Sequence, residues 1–298
     1  MKRGLKIGLA VAGVMAAAVG GSVLWAMKHP FELYQITGKR ALEKAGLLKG
    51  ASHGLTVFRG QSNTPAVILI HGVNDQAGTW SYVVPKLPAR RLVLLDLPGH
   101  GESGPRSGPL ALGGMKDALV TLVDEEAKTG PVTLVGNSMG AWLACLVALE
   151  RPAAVARLVL VNGGPLRTDK PVNLIPRTRE EARAVLAGMR DPSAPAVPDF
   201  VLDGIVELGR SGPVSRLSIA ELERFLLDGR AGELKTPVDL LWGASDQAVP
   251  LSYAERLLKE LPHARLTKLE RCGHVPQQEC PVRFAEALSK VLSEAPPS

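Results

Sequence analysis

Short runs of Val, Leu and Ile recur along this chain at strand length, and no other feature narrows the possible folds as much. They are AVILIHG (66–72), RLVLLDLPG (91–99), VTLVG (132–136), RLVLVNGG (157–164), VDLLWGA (238–244) and RLTKLERCG (265–273), preceded by LTVFRG (55–60). Helical patterns fill 113–128, 139–150 and 252–260 between several of them. A strand that is apolar without alternation is buried on both faces, and the intervening helices cover those faces. The pattern predicts an α/β protein with a doubly wound, mostly parallel sheet.

The alternation breaks once. Residues 166–235 hold no strand run but three helical patterns, separated by Pro- and Gly-rich joints such as RDPSAPAVPD and RSGP. An excursion of that size between two strands is expected to be a helical cap over the sheet edge. Its apolar clusters, Phe200, Val201, Ile205 and Leu208, then Leu222, Phe225 and Leu226, are expected to divide between packing the cap and lining an apolar slot. The core then comprises 55–165 and 236–298. Residues 29–54 read as a connector, with a short amphipathic helix, GKRALEKAGLL, ended by Gly50.

The N-terminus (1–28) is basic at Lys2, Arg3 and Lys6 and then runs from Ile7 to Met27 without a charge. As a helix that run spans about 31 Å, close to the hydrocarbon thickness of a bilayer. Trp25, Lys28 and Phe31 follow where interfacial anchors belong. An uncleaved signal-anchor is expected, with the rest of the chain facing a periplasm or comparable space. The rival is a secretory signal peptide cut after the AAA at 16–18, which the continued apolar run argues against.

Composition removes other classes. Of 298 residues, 21% are charged and 4% aromatic, and the net charge of +6 comes with no basic run interleaved with aromatics, so no nucleic-acid surface is expected. The six histidines and three cysteines show no metal-ligand spacing, so neither a metal nor another cofactor is expected. Cys145 sits in an apolar helical run. Cys272 and Cys280 are close enough to bridge, but spacing says nothing of geometry, and two free thiols are expected.

In such a sheet, chemistry collects at the C-terminal ends of the strands. LVGNSMG puts Ser138 at one such end, with a helix starting at once, and Gly136 and Gly140 relieve the crowding of a sharp turn. A Ser hydroxyl needs an oriented base to attack at neutral pH. Asp246, just past VDLLWGA, and His274, just past the next run, follow in the order Ser, Asp, His. Asn162, after the preceding strand, cannot serve as the acid. Acyl transfer also requires donors for a developing oxyanion. Met139 N–H follows the nucleophile, and the turn after AVILIHG offers Val73 N–H. His71, Gly72, His100 and Asp96 are expected to shape loops.

Taken together, LIHG with Trp80 following, LLDLPGHGES, LVGNSMGAW, LLWGASDQAVP and CGHVPQQE resemble the α/β-hydrolase superfamily over residues 55–292. The resemblance implies a Ser138–His274–Asp246 triad, with Val73 and Met139 as oxyanion donors, and Ser138 excludes the aspartate-nucleophile members. The N-terminal anchor and GNSMG resemble membrane-anchored monoacylglycerol lipases and bacterial esterases. GNSMG is also found in carbon–carbon bond hydrolases, whose Gly-rich run after the first His-Gly is replaced here by HGVNDQAGTW. Ala141 stands where many relatives carry a second Gly. The expected activity is hydrolysis of carboxylic, lipid-like esters at a membrane surface. Carbon–carbon or thioester hydrolysis, and a catalytically silent binding protein, remain as alternatives.

Overall fold

A central parallel strand ending at Asn137 organises the structure, a computed structural model that describes residues 24–88, 90–169 and 173–297. The strands are β1 (Leu48–Ser52), β2 (Leu55–Arg59), β3 (Val67–Ile70), β4 (Leu92–Leu95), β5 (Val132–Asn137), β6 (Val155–Val161), β7 (Val238–Gly243) and β8 (Arg265–Leu269). They form one sheet in the order β1-β2-β4-β3-β5-β6-β7-β8. From β4 to β8 every pairing is parallel, while β1–β2 and β2–β4 are antiparallel. The reversal of strand order beside β3 and β5 opens the crevice in which such sheets place their sites.

The continuous apolar runs are explained by burial on both sides. In β3, Ile68 and Ile70 face one core and Val67 and Leu69 the other, as the two-residue period of a strand requires. The first core is covered by α2 (Leu112–Glu126), α3 (Met139–Glu150) and α7 (Leu251–Glu260), which contribute Leu119, Leu143 and Leu257. The second is covered by α1 (Pro30–Lys44) and α9 (Pro281–Ser293), through Leu42, Phe284 and Leu288. Each such fully buried side chain stabilises the fold by about 1.5–3 kcal/mol relative to exposure.

The segment read as a connector is more ordered than expected. Its helix begins earlier, with Pro30 in the first turn, and ends at Lys44, where Gly46 takes φ +87°. Gly50 does not end it: Gly50 lies inside β1, opposite Val57 of β2. The alternation of β1 is weak in sequence because most of it is an exposed edge. Most of the Ile7–Met27 run lies outside the described residues. Among the described residues no helix is long and apolar enough to cross a membrane.

The cap contains α4 (Arg179–Met189), α5 (Asp199–Ser211) and α6 (Ile219–Glu223), and no strand among its described residues. Its own small core is Ala182, Leu202 and Val206. The expected face of α5, Phe200, Val201, Ile205 and Leu208, is only half-buried, because the helix turns the neighbouring positions inward. Leu222 and Phe225 pack on the main core instead. Glu221 accepts from Leu112 N (2.9 Å) and Gly113 N (3.1 Å), capping α2 from the cap side. At Gly204, α5 meets α1 so closely that a Cβ would fall 2.7 Å from Pro30 Cγ.

Candidate active site

Ser138 occupies the turn between β5 and α3, and its backbone is held at φ 55° and ψ −120°. A non-glycine residue at positive φ is strained, and such strain persists where the surroundings over-determine it. The close packing that does so excludes a Cβ at the flanking glycines. One at Gly136 would lie 2.3 Å from Gly140 O, and one at Gly140 would lie 2.4 Å from Ile70 O. The hydroxyl therefore projects from the end of the central strand at the N-terminus of α3, where unpaired N–H groups and the positive dipole end are found.

The three side chains selected from sequence come together as one hydrogen-bonded chain. Ser138 Oγ lies 3.0 Å from His274 Nε2, and His274 Nδ1 lies 2.7 Å from Asp246 Oδ2. With Asp246 ionised, Nδ1 carries the proton and Nε2 is left to accept from the serine hydroxyl. Asp246 is 1% exposed and His274 4%, so the pair is shielded from water. Asp246 Oδ1 accepts from Ala248 N (2.8 Å) and Val249 N (2.9 Å), which fixes the carboxylate.

Several supporting residues were not singled out by the sequence. Asn162, dismissed as an acid, donates from Nδ2 to Asp246 Oδ2 at 2.6 Å, and its own Oδ1 accepts from Gly243 N at 3.1 Å. Asn137, immediately before the serine, donates to His274 O (3.0 Å) and Val161 O (3.2 Å). Gln277 donates to Asn137 Oδ1 at 3.1 Å. For Asn137 and Asn162 an amide side chain at a strand end is the only sequence signal, and Gln277, in the short helix after His274, carries none.

The loops anticipated as structural are so. His71 Nε2 accepts from Leu97 N at 3.0 Å, which leaves Nδ1–H to donate to Gly72 O at 2.7 Å. Burial lowers the His71 pKa and, with the neighbouring His71 ring adding to it, lowers that of His100 to about 3. Asp96 accepts from Ala77 N (2.8 Å) and Glu102 N (2.7 Å) and pairs with Lys39 of α1 at 2.9 Å. Gly72 packs against the serine: a Cβ there would lie 3.1 Å from Ser138 Cβ. The following turn carries Val73, whose N–H has no partner within the chain among the described residues. Met139 opens α3, so its N–H lies outside the intrahelical ladder.

The cap is fastened to this machinery directly. Met189 O, at the end of α4, accepts from His274 N at 2.7 Å, and Gly188 O accepts from Gln247 N at 2.8 Å. Asp191 accepts from Ser245 Oγ at 2.5 Å, and its N–H reaches Glu279 Oε1 at 2.7 Å. On the other side, Asn74 Oδ1 accepts from Val214 N at 2.9 Å.

Cys272 and Cys280 are bonded as a disulfide, with Cα atoms 5.8 Å apart, contrary to the expectation of two free thiols. The short helix α8 (Pro276–Glu279) folds the chain back after His274 and brings the pair within bridging distance, a turn that residue spacing does not reveal. Cys145 is free and buried, as its apolar setting implied.

The sequence profile of the alpha/beta hydrolase family matches residues 67–287. The pimeloyl-[acyl-carrier protein] methyl ester esterase of Aromatoleum aromaticum is 33% identical over 255 residues, covering 77% of this chain and 99% of that protein. The human monoacylglycerol lipase ABHD6 is 28% identical over 263 residues, covering 79% of this chain and 78% of the lipase. The crystal structure of a membrane phospholipase A described as a bacterial virulence factor superposes with a TM-score of 0.74 at 24% identity, over 98% of both chains, a likeness of fold. On its sequence, this chain belongs to the alpha/beta hydrolase family.

Proposed function

We propose that the protein is a serine hydrolase of carboxylic esters with a preference for lipid-like substrates. The observation that carries this reading is the continuous chain from Ser138 Oγ through His274 to Asp246. In the first half-reaction, His274 Nε2 takes the serine proton as Oγ attacks the ester carbonyl. The tetrahedral oxyanion is held by Val73 N–H and Met139 N–H. His274 then gives the proton to the leaving alcohol, and an acyl-enzyme remains. In the second half-reaction water loses a proton to Nε2 and attacks the acyl carbonyl, and His274 then returns that proton to Ser138 Oγ as the acid leaves, regenerating both groups. Asp246 keeps the imidazole tautomer and stabilises its charged form.

The lipid preference is supported by the apolar, charge-free N-terminal run and by the half-buried apolar side chains of the cap. The run is proposed to be retained as a membrane anchor, with residues 29–298 extracytoplasmic. The Cys272–Cys280 bridge suits an oxidising compartment of that kind.

Labelling of the full chain in membranes with a fluorophosphonate, followed by p-nitrophenyl esters of rising length, tests this reading. Each buried methylene is worth about 0.8 kcal/mol, so chains of about eight carbons should exceed acetate by roughly tenfold or more in kcat/KM. Monoacylglycerols should be cleaved, and triacylglycerols more slowly. A preference for acetate would remove the lipid assignment. Labelling at Ser138 with turnover of dienone or thioester substrates alone would replace ester hydrolysis by those reactions.

A further inference from the structure

The turn carrying Val73 is held from an unexpected direction, the N-terminal helix. Tyr34, on α1, donates its hydroxyl to Asp75 Oδ1 at 3.0 Å, and the same oxygen accepts from Gln76 N at 2.9 Å. Gln278, on the helix that follows His274, donates to Tyr34 Oη at 2.8 Å and to Thr79 Oγ1 at 2.6 Å. Gln278, Tyr34 and Asp75 thus form a relay between the histidine loop and the 72–76 turn. Its seat is firm. Gly38 of α1 approaches Gly78 so closely that a Cβ would lie 3.0 Å from Gly78 Cα, and Lys39 pairs with the buried Asp96. Removal from water pushes the Asp75 carboxyl above its ordinary range and the Tyr34 phenol well above its own, so neither group is simply a solvated surface residue.

We propose that Tyr34 and Asp75 are positioning residues through which α1 sets the oxyanion turn. The proposal rests on the ester-hydrolase reading for its kinetic consequence, but not for the physical clamp. An oxyanion donor must lie about 2.7–3.1 Å from an oxygen that exists only during reaction. Val73 N–H has no partner among the described residues to aim it beforehand, so its direction is inherited from the residues around it. Asp75 is two positions along the same turn, and Asn74 between them is tied to the cap at Val214. With the cap side held by Asn74, the Tyr34–Asp75 bond, beside a longer contact from Gln278 Nε2 to Asp75 Oδ2 at 3.4 Å, supplies the opposing constraint.

The test uses the full chain in detergent, with Tyr34→Phe, Asp75→Ala and Asp75→Asn. The asparagine keeps an acceptor for Tyr34 Oη and Gln76 N, so it should rescue. A misplacement approaching 1 Å costs on the order of 100-fold, and a partial loosening should cost about tenfold. Tyr34→Phe and Asp75→Ala should therefore lower kcat for p-nitrophenyl octanoate by about tenfold, with KM within about twofold, the signature of a contact felt only in the transition state. The rate of Ser138 phosphonylation should fall in parallel. Asp75→Asn should stay within about threefold of the parent, and the double variant should be no worse than Asp75→Ala, as for residues acting as a unit. Unchanged kcat, a rise in KM alone, or an asparagine no better than alanine would overturn the proposal. If the parent protein neither hydrolyses esters nor takes up the phosphonate, the ester-hydrolase reading fails. Amide exchange across 72–79 then decides the clamp: faster exchange in Tyr34→Phe supports it, and unchanged exchange refutes it.

Discussion

Asn162 and His274 donate to one and the same oxygen, Asp246 Oδ2, at 2.6 and 2.7 Å. The carboxylate has its other oxygen satisfied by two backbone N–H groups, so Asn162 is the side chain that shares the charge with the imidazole. A hydrogen bond to a charged group contributes about 1.5–3 kcal/mol. Asn162→Ala should therefore lower kcat by about 10- to 100-fold while KM stays close to the parent value. Steady-state kinetics on a p-nitrophenyl ester check this, and an unaltered kcat would show that the backbone donors suffice.

On the proposed mechanism, the loss of the Ser138 hydroxyl should be absolute in its effect where the loss of the Asp246 charge is not. Ser138→Ala should abolish turnover with the circular dichroism spectrum and melting temperature retained. Asp246→Asn should cost on the order of 10⁴-fold, because the neutral amide favours the wrong imidazole tautomer. More than trace ester hydrolysis by Ser138→Ala, after exclusion of contaminating esterases, would refute the assignment of the triad.

The disulfide brackets the histidine, with Cys272 two residues before His274 and Cys280 six after. Closing so short a loop stabilises by about 2–3 kcal/mol in the chain-entropy account. The Cys272→Ser/Cys280→Ser variant should melt roughly 3–5 °C lower. Its activity at low temperature should also fall, because the loop that aims His274 Nε2 loses its closure. Differential scanning fluorimetry with and without a thiol reductant on the parent should show the same displacement.

Acid should destabilise the fold through its buried histidines. His100, held neutral by burial, has its pKa lowered to about 3, while in the unfolded chain it titrates near 6.5. Between those values the unfolded state binds the extra proton, so stability present above about pH 6.5 is lost as pH falls toward 3. His71 is lowered in the same direction. His100→Asn preserves a donor toward Pro98 O, which the ring nitrogen contacts at 3.0 Å. Its melting temperature should fall less steeply from pH 6.5 to 4 than that of the parent, and parallel curves would refute the attribution.

The parallel sheet was legible because each doubly buried strand must be apolar throughout, and the meeting of Ser138, His274 and Asp246 was legible because each follows closely on such a run. What escaped has a common physical cause. Edge strand β1 is largely exposed, so nothing in its side chains announces pairing. Asn162 and Gln277 act through hydrogen bonds across more than 80 residues of separation, 84 for Asn162 to Asp246 and 140 for Gln277 to Asn137. The Cys272–Cys280 pairing depended on a four-residue helix that local spacing does not specify.

The bond from His274 N to Met189 O sets a limit on how this protein can be rebuilt. Caps are attractive units to exchange between family members, since they look like insertions with two ends. Here the stretch 188–191 belongs to the histidine and aspartate loops as much as to the cap, and Val214 belongs with Asn74. A grafted cap that ends its first helix without equivalents of Met189 and Asp191 would arrive with a new surface and a misaligned His274. Chimeras should therefore be joined after residue 191 and should retain residues 213–216, so that substrate range is altered above a catalytic frame left intact.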